Sequence, residues 1–175
     1  MTKILICGYG NIGRKTENEM SDLILDEENY LICPYDIKDC NNNNLNYHYE
    51  YAFICVSTDK LSDGSCDISN VWDAVEKIDA DIIIIKSTVP PGTSDALSIA
   101  FPNKHIVFSP EFYGTTIHAP TKLNFLILGG KKEDCSKVAD LFHSFKPASF
   151  RIHFTDYKTA ELVKYMENCF LGLKV

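Results

Sequence analysis

The chain has 175 residues, of which 45% are hydrophobic and 23% charged, and its net charge at pH 7 is −7. This length and composition suit one globular domain with a sizeable core and exclude a disordered or fibrous chain. The chain is negatively charged and has no run of Lys and Arg, which argues against a nucleic-acid partner. It also lacks a long apolar stretch and a signal-peptide pattern, which argues against a membrane partner. We therefore expect a cytoplasmic protein.

The first predicted element is a strand over residues 3–7, which leads directly into a glycine motif at Gly8, Gly10 and Gly13. In a dinucleotide-binding turn, the first glycine makes the tight turn, the second lets the backbone approach a pyrophosphate, and the third lets the helix pack close to the strand. The helix predicted over residues 11–25 would then present free N–H groups and a partial positive charge to the phosphates. Three glycines alone are a weak signal.

The second predicted strand, residues 30–35, strengthens this signal because it ends at Asp36, about twenty residues after Gly13. At this position an acidic side chain hydrogen-bonds the ribose hydroxyls of NAD. The two signals together predict an NAD site. The alternative is an ordinary glycine turn followed by a solvated loop aspartate.

Strand-like and helix-like segments alternate over the rest of the chain, after an Asn-rich loop at residues 41–44. The alternation predicts an α/β fold with a Rossmann-type, doubly wound, mostly parallel sheet. A last helix follows, which begins near a candidate N-cap at Asp156 and has no stop signal before Val175 except Gly172, so we expect it to run past the end of the chain. The further predicted strands are residues 51–56, 81–86, 105–109, 123–128 and 149–154, and the further helices are residues 68–79, 93–101, 133–145 and 156 onward.

The seven cysteines and five histidines show no CxxC, HxxxH or HxxE spacing, so we expect no metal site. Cys7, Cys33 and Cys55 fall in apolar strand-like runs, where a thiol usually packs as a small hydrophobe.

Eight further pieces of sequence follow one another in a specific order: GYGNIG, YDIK, FICVSTD, SDGSCDISNVWDAVEKI, IIIIKSTVPPGT, FSPEF, ILGG and AELVKYMENCFLGLKV. In this order they resemble the N-terminal NAD-binding domain of the UDP-glucose 6-dehydrogenase / GDP-mannose dehydrogenase family. The resemblance implies an NAD-binding domain over residues 1–155 and the start of a central helix over residues 156–175. It also implies that a sugar-binding domain lies outside this chain.

The resemblance further implies an NAD-dependent oxidoreductase that converts the C6 alcohol of a nucleotide sugar, most plausibly UDP-glucose, to a carboxylate through aldehyde and thioester intermediates. Such chemistry needs a positioned cofactor, a proton acceptor, an oxyanion stabiliser and a thiol nucleophile. Lys164 and Asn168 match the family's catalytic lysine and asparagine, and their spacing puts them on one helix face.

The candidate residues fall into three groups. The catalytic candidates are Thr88, Glu111, Lys164 and Asn168. The cofactor-binding candidates are Gly8, Gly10, Asn11, Ile12, Gly13, Asp36, Lys38, Val56, Ser57, Thr58 and Thr88. The substrate-binding candidates are Glu111, Phe112, Tyr113, Gly114, Thr115, Lys164 and Asn168.

Three departures from the family pattern bear on function. Thr115 replaces a second family glutamate, only Ile37 to Glu50 separate Asp36 from the next predicted strand, and none of the cysteines matches the family's nucleophile, which lies in a downstream glycine-rich GxC motif. Two hypotheses therefore remain. The chain is either the cofactor-binding half of a nucleotide-sugar dehydrogenase or a non-catalytic NAD- or nucleotide-binding module that acts with a partner.

The predicted terminal helix also suggests how a partner would bind. Its apolar residues form a broad face that we expect to pack against a second copy of the chain or a partner polypeptide. These residues are Leu162, Val163, Met166, Phe170 and Leu173.

Overall fold

Seven strands form a single sheet in the computed structural model, which describes residues 1–20, 28–38, 44–112 and 124–173. Their order across the sheet is β2-β1-β3-β4-β5-β6-β7. Strands β1 to β5 run parallel to their neighbours, β6 is antiparallel to β5, and β7 is parallel to β6. The predicted mostly parallel sheet is therefore confirmed. The strands are β1 (Thr2–Cys7), β2 (Tyr30–Tyr35), β3 (His48–Ile54), β4 (Asp79–Ile85), β5 (Ile106–Phe108), β6 (Phe125–Gly130) and β7 (Arg151–Thr155).

Five α-helices and a short 3-10 helix at Asn44–Asn46 lie within the described residues, and each predicted helix has its counterpart. The first helix ends earlier than predicted, and residues 21–27 lie outside the described residues. Over the described part of the chain, no helix is both long and apolar enough to cross a membrane. The helices are α1 (Asn11–Glu19), α2 (Ser69–Lys77), α3 (Thr93–Ala100), α4 (Lys132–His143) and α5 (Tyr157–Leu173).

The core lies in two layers, one on each face of the sheet. Alternate residues of a strand point to opposite faces, so Ile82 and Ile84 join one layer while Ile83 and Ile85 join the other. Side chains of α4 pack in the first layer, and side chains of α2, α3 and α5 pack in the second. Burial on both faces explains why the central strands are continuously apolar.

The reversal between β5 and β6 determines where α5 begins. Because β6 and β7 run against the other strands, β7 ends at the edge of the sheet where the parallel strands start. Near the start of α5, the Tyr157 hydroxyl donates to the carbonyl of Ile106, the first residue of β5, at 2.7 Å. From there the helix rises toward the carboxyl ends of β1 to β5.

Candidate active site

The turn after β1 requires glycine at two positions. Gly8 has a φ of +92°, and a Cβ there would lie 2.6 Å from the carbonyl oxygen of Cys55. A Cβ on Gly13 would overlap the carbonyl oxygen of Gly8, so α1 can pack directly on the turn only without a side chain. These contacts agree with the roles predicted for the first and third glycines of a dinucleotide-binding turn.

Gly10 differs from these two glycines because it faces open space: apart from its two chain neighbours, no atom of the described residues lies within 4 Å of the position that its Cβ would take. The N-terminal end of α1, which begins after Gly10, also has no side-chain cap, so the N–H groups of its first turn stay available to a ligand. Open space over Gly10 and the positive end of the helix dipole suit a pyrophosphate. The residues present therefore fit NAD at this turn, with Asn11 and Ile12 in the first turn of α1.

Asp36 lies beside the turn in a fixed orientation. Its Oδ2 accepts a hydrogen bond from the Tyr9 backbone N–H at 3.0 Å, and its Oδ1 accepts one from the Lys38 N–H at 3.0 Å. A carboxylate oxygen can accept more than one hydrogen bond, so both oxygens retain capacity for ribose hydroxyls. Sequence reasoning missed Tyr9, which joins the glycine turn to Asp36 and whose ring lies 5.5 Å from the Arg14 guanidinium.

The loops after β3 and β4 bond to each other at the carboxyl edge of the sheet. The Thr58 hydroxyl donates to the Thr88 carbonyl at 2.8 Å, and the Ser87 hydroxyl donates to the Val56 carbonyl at 2.8 Å. Ser57 is exposed, and its carbonyl accepts from Asn70 at 3.1 Å. The structure thus brings the candidates of these two loops together through direct hydrogen bonds.

Glu111 is turned inward. Its Oε2 lies 3.2 Å from Nζ of Lys86, and its Oε1 accepts from the Phe112 backbone N–H at 2.9 Å. Both residues of the pair are buried, at 5% and 3% exposed. Burial disfavours the charged ammonium, but the nearby negative charges, led by Glu111, outweigh it and hold the pKa of Lys86 above its ordinary value. Sequence reasoning missed Lys86, although a lysine that ends the apolar run IIIIK was a usable signal.

The α5 candidates reach the same edge of the sheet. Nζ of Lys164 lies 5.4 Å from the centre of the Phe112 ring and 2.7 Å from Oε2 of Glu167. Asn168 is exposed one turn further along the helix. Tyr113, Gly114 and Thr115 lie outside the described residues, so their predicted substrate contacts stay predictions.

A family model described as the NAD binding domain of the UDP-glucose/GDP-mannose dehydrogenase family matches residues 38–146. The chain belongs to this family. The match confirms the resemblance that the sequence motifs carry, and it supports NAD as the cofactor of this domain.

Two curated relatives and one solved structure illustrate how far the family similarity extends. UDP-glucose 6-dehydrogenase YwqF of Bacillus subtilis is 29% identical over an alignment of 140 positions, gaps included, that covers 72% of this chain and 31% of the relative. UDP-N-acetyl-D-mannosamine dehydrogenase of Methanococcus vannielii is 29% identical over an alignment of 182 positions, gaps included, that covers 94% of this chain and 42% of the relative. A UDP-glucose dehydrogenase structure from Pyrobaculum islandicum superposes with a TM-score of 0.76 at 21% identity, over 100% of this chain and 51% of that one.

Because the sequence identity to this solved structure is only 21%, the structural likeness supports a shared fold and nothing more. The chain spans less than half the length of these curated relatives of the family.

Proposed function

We propose that the chain is the cofactor-binding part of an NAD-dependent nucleotide-sugar 6-dehydrogenase, with UDP-glucose as the substrate. In this proposal residues 1–155 bind the cofactor and residues 156–175 begin the helix that leads to the sugar-binding part. The observation that supports it most is the approach of Lys164 to Phe112, beyond the carboxyl end of β5. The glycine turn and Thr88 follow β1 and β4 at the same edge of the sheet.

In this proposal, some residues of the chain bind NAD and others polarise the sugar oxygen. NAD bound at the glycine turn would supply the acceptor for the hydride of the alcohol carbon, while the alcohol proton would pass to water. The turn at Gly8, Gly10 and Gly13 holds the pyrophosphate, and Asp36 holds the ribose. Lys164 donates to the sugar oxygen as negative charge develops there, and the Asn168 amide donates beside it.

Glu111 and Thr88 complete the proposed site. Glu111 lies in the buried pair with Lys86, and it would accept a hydrogen bond from substrate or water on turning toward the cleft. Thr88 would orient the reacting group beside the nicotinamide, and the segment from Phe112 to Thr115 would line the sugar side. The thiol nucleophile of the second oxidation would come from outside residues 1–175.

A second candidate function, a non-catalytic NAD-binding module, draws support from the charge pairing. The ammonium of Lys164 already lies against Glu167, and the carboxylate of Glu111 already lies against Lys86. Charges that are neutralised within the protein are less available to a substrate. The two candidates differ in whether hydride transfer follows binding of NAD.

The test uses a chimera in which this chain replaces the matched part of the Bacillus subtilis relative, with NADH formation from UDP-glucose as the readout. We expect turnover that Lys164→Ala lowers by about 10²–10³, since one oxyanion donor contributes about that much. Lys158→Ala, an exposed lysine on the same helix, serves as the matched control and should keep the rate.

Two outcomes would decide against the proposal. A folded chimera that binds NAD but forms no NADH from UDP-glucose or UDP-N-acetyl-D-mannosamine would favour the binding module. Equal turnover in the Lys164→Ala and Lys158→Ala variants would remove Lys164 from the reaction.

A further inference from the structure

Glu161 joins α5 to the beginning of α3. Its Oε2 accepts a hydrogen bond from the Gly92 backbone N–H at 2.5 Å, and its Oε1 accepts one from the Ser94 N–H at 2.8 Å. The side chain has no exposed surface. Gly92 provides no side-chain cap for α3, so a carboxylate from another helix satisfies the N–H groups that a helix start leaves unpaired. The positive end of the α3 dipole also favours a negative charge there.

These two bonds connect segments that carry two of the proposed catalytic residues. Thr88 precedes Gly92 by four residues, and Pro90 and Pro91 stiffen the chain between them. Lys164 follows Glu161 by three residues on α5, which places both on the same side of the helix. The position of Glu161 therefore affects how Lys164 and Thr88 lie relative to each other.

Glu161 is also the last buried residue of α5 in the described part of the chain. Before it, Ala160 packs so tightly on β6 that a Cβ on Gly129 would lie 2.6 Å from its Cβ. After it, Leu162 and Met166 are 49% and 63% exposed. Glu161 is thus the last fully buried contact of α5 before its more exposed outer part.

The thiol of Cys66 can serve as a probe of whether the outer part of α5, the part after Glu161, is in place. The Tyr165 side chain lies beside Cys66, and burial, together with Cys66, raises the pKa of Tyr165. The half-buried Cys66 thiol also points at the carbonyls of Thr58 and Thr88, at 3.8 Å and 4.0 Å. Separation of Tyr165 from this loop would expose the thiol.

We propose that Glu161 is a positioning residue: by bonding the start of α3, it sets the placement of Lys164 relative to Thr88. The consequence for catalysis rests on the function proposed above. The attachment itself can be tested without turnover.

The first experiment measures alkylation of each cysteine in the folded 175-residue chain by peptide mass spectrometry. Exposed Cys169 serves as the standard for reagent reactivity, and buried Cys135 reports opening of the whole fold. We expect Glu161→Leu to raise the rate at Cys66 about ten- to hundredfold, since a hydrogen bond to a charged group affects an equilibrium by that factor. Glu161→Gln keeps the shape of the side chain and one hydrogen-bond acceptor, so the labelling rate of Cys66 in this variant should lie between those of wild type and Glu161→Leu.

The control substitution Glu76→Leu, at an exposed site on α2, should leave labelling of Cys66 unchanged. An unchanged rate at Cys66 in Glu161→Leu would overturn the proposal. An equal rise at Cys135 would also overturn it, because the substitution would then loosen the whole fold.

The second experiment uses the chimera. We expect Glu161→Leu to lower kcat at least tenfold with NAD affinity unchanged, and Glu161→Gln to recover part of the rate. Faster labelling of Cys66 with an unaltered kcat would overturn the positioning role. A chimera that is inactive before any substitution would count against the proposed function alone, because the labelling result would still decide whether Glu161 holds the helix.

Discussion

Asp36 is the residue whose local geometry bears most directly on cofactor choice. Its two backbone hydrogen bonds hold a negative charge where the ribose is expected, and this charge would repel a 2′-phosphate. We therefore expect tighter binding of NAD than of NADP. Asp36→Asn should weaken NAD binding by about ten- to hundredfold, because a hydrogen bond to a charged acceptor contributes about 1.5–3 kcal/mol.

Calorimetric titration of both cofactors into wild type, Asp36→Asn and Asp140→Asn measures this effect. Asp140 is an exposed acid on α4 and should behave as wild type. Equal affinity of the wild-type chain for NAD and NADP would show that Asp36 does not discriminate between them.

The buried pair of Lys86 and Glu111 gives a prediction about stability. Removing one partner of a buried ion pair leaves a charge in the interior that no opposite charge compensates. We expect Lys86→Met to lower the free energy of unfolding by about 3–5 kcal/mol, as measured by urea denaturation. The double variant Lys86→Met, Glu111→Leu should recover much of this loss. Losses that simply add would mean that the two side chains do not interact.

Residues fixed by local backbone needs could be predicted from the sequence, whereas long-range partners could not. Gly8 and Gly13 stand where a turn and a close helix require glycine, and their spacing is visible in the chain. Glu161 meets Gly92 only after α3 and α5 have packed together, across 69 residues of sequence. Neither neighbouring residues nor periodicity indicates such a contact.

At the scale of elements, the outer face of α5 exposes several large apolar side chains to water. Met166, Phe170 and Leu173 are 63%, 57% and 86% exposed. We expect the chain to self-associate through this face, and Met166→Lys with Phe170→Lys to weaken association more than tenfold. Each buried apolar side chain contributes about 1.5–3 kcal/mol, which is the basis of this expectation.

Sedimentation equilibrium measures the association. The matched control is Ile99→Lys, at a position on α3 that is 79% exposed. A wild-type chain that sediments as a monomer at all concentrations, like the double variant, would contradict the prediction.

The types and order of the elements could be predicted because apolar periodicity is a local property, but their ends could not. Strand β3 begins at His48 and β4 at Asp79, earlier than the apolar runs indicated. These polar residues pair with each other across the two strands, and His48 Nδ1 lies 3.2 Å from Oδ1 of Asp79. Pairing with a neighbouring strand extends a strand beyond its apolar part, and single-strand patterns do not record it.

For the molecule as a whole, the reversal of β6 and β7 was the feature that sequence patterns did not indicate. A strand's direction depends on the edge of the sheet at which the chain re-enters, not on its composition. With this reversal, α5 starts beside Ile106 and rises about 10 Å over the seven residue steps from Tyr157 to Lys164, at about 1.5 Å per step. The helix then carries Lys164 to the edge where the glycine turn lies.

The antiparallel contact between β5 and β6 joins only two residue pairs, Val107 with Gly130 and Phe108 with Gly129, whereas β3 and β4 join six. A sheet divided at so short a contact can open in two cooperative stages. In native-state hydrogen exchange, we expect the amides of Leu126 and Leu128 to exchange at a lower free energy than those of Phe53 and Ile84. The β6–β7–α5 part could then separate transiently from β1 to β5. The glycine turn and Asp36 would then stay in place for NAD while the proposed sugar-facing surface is released and re-formed.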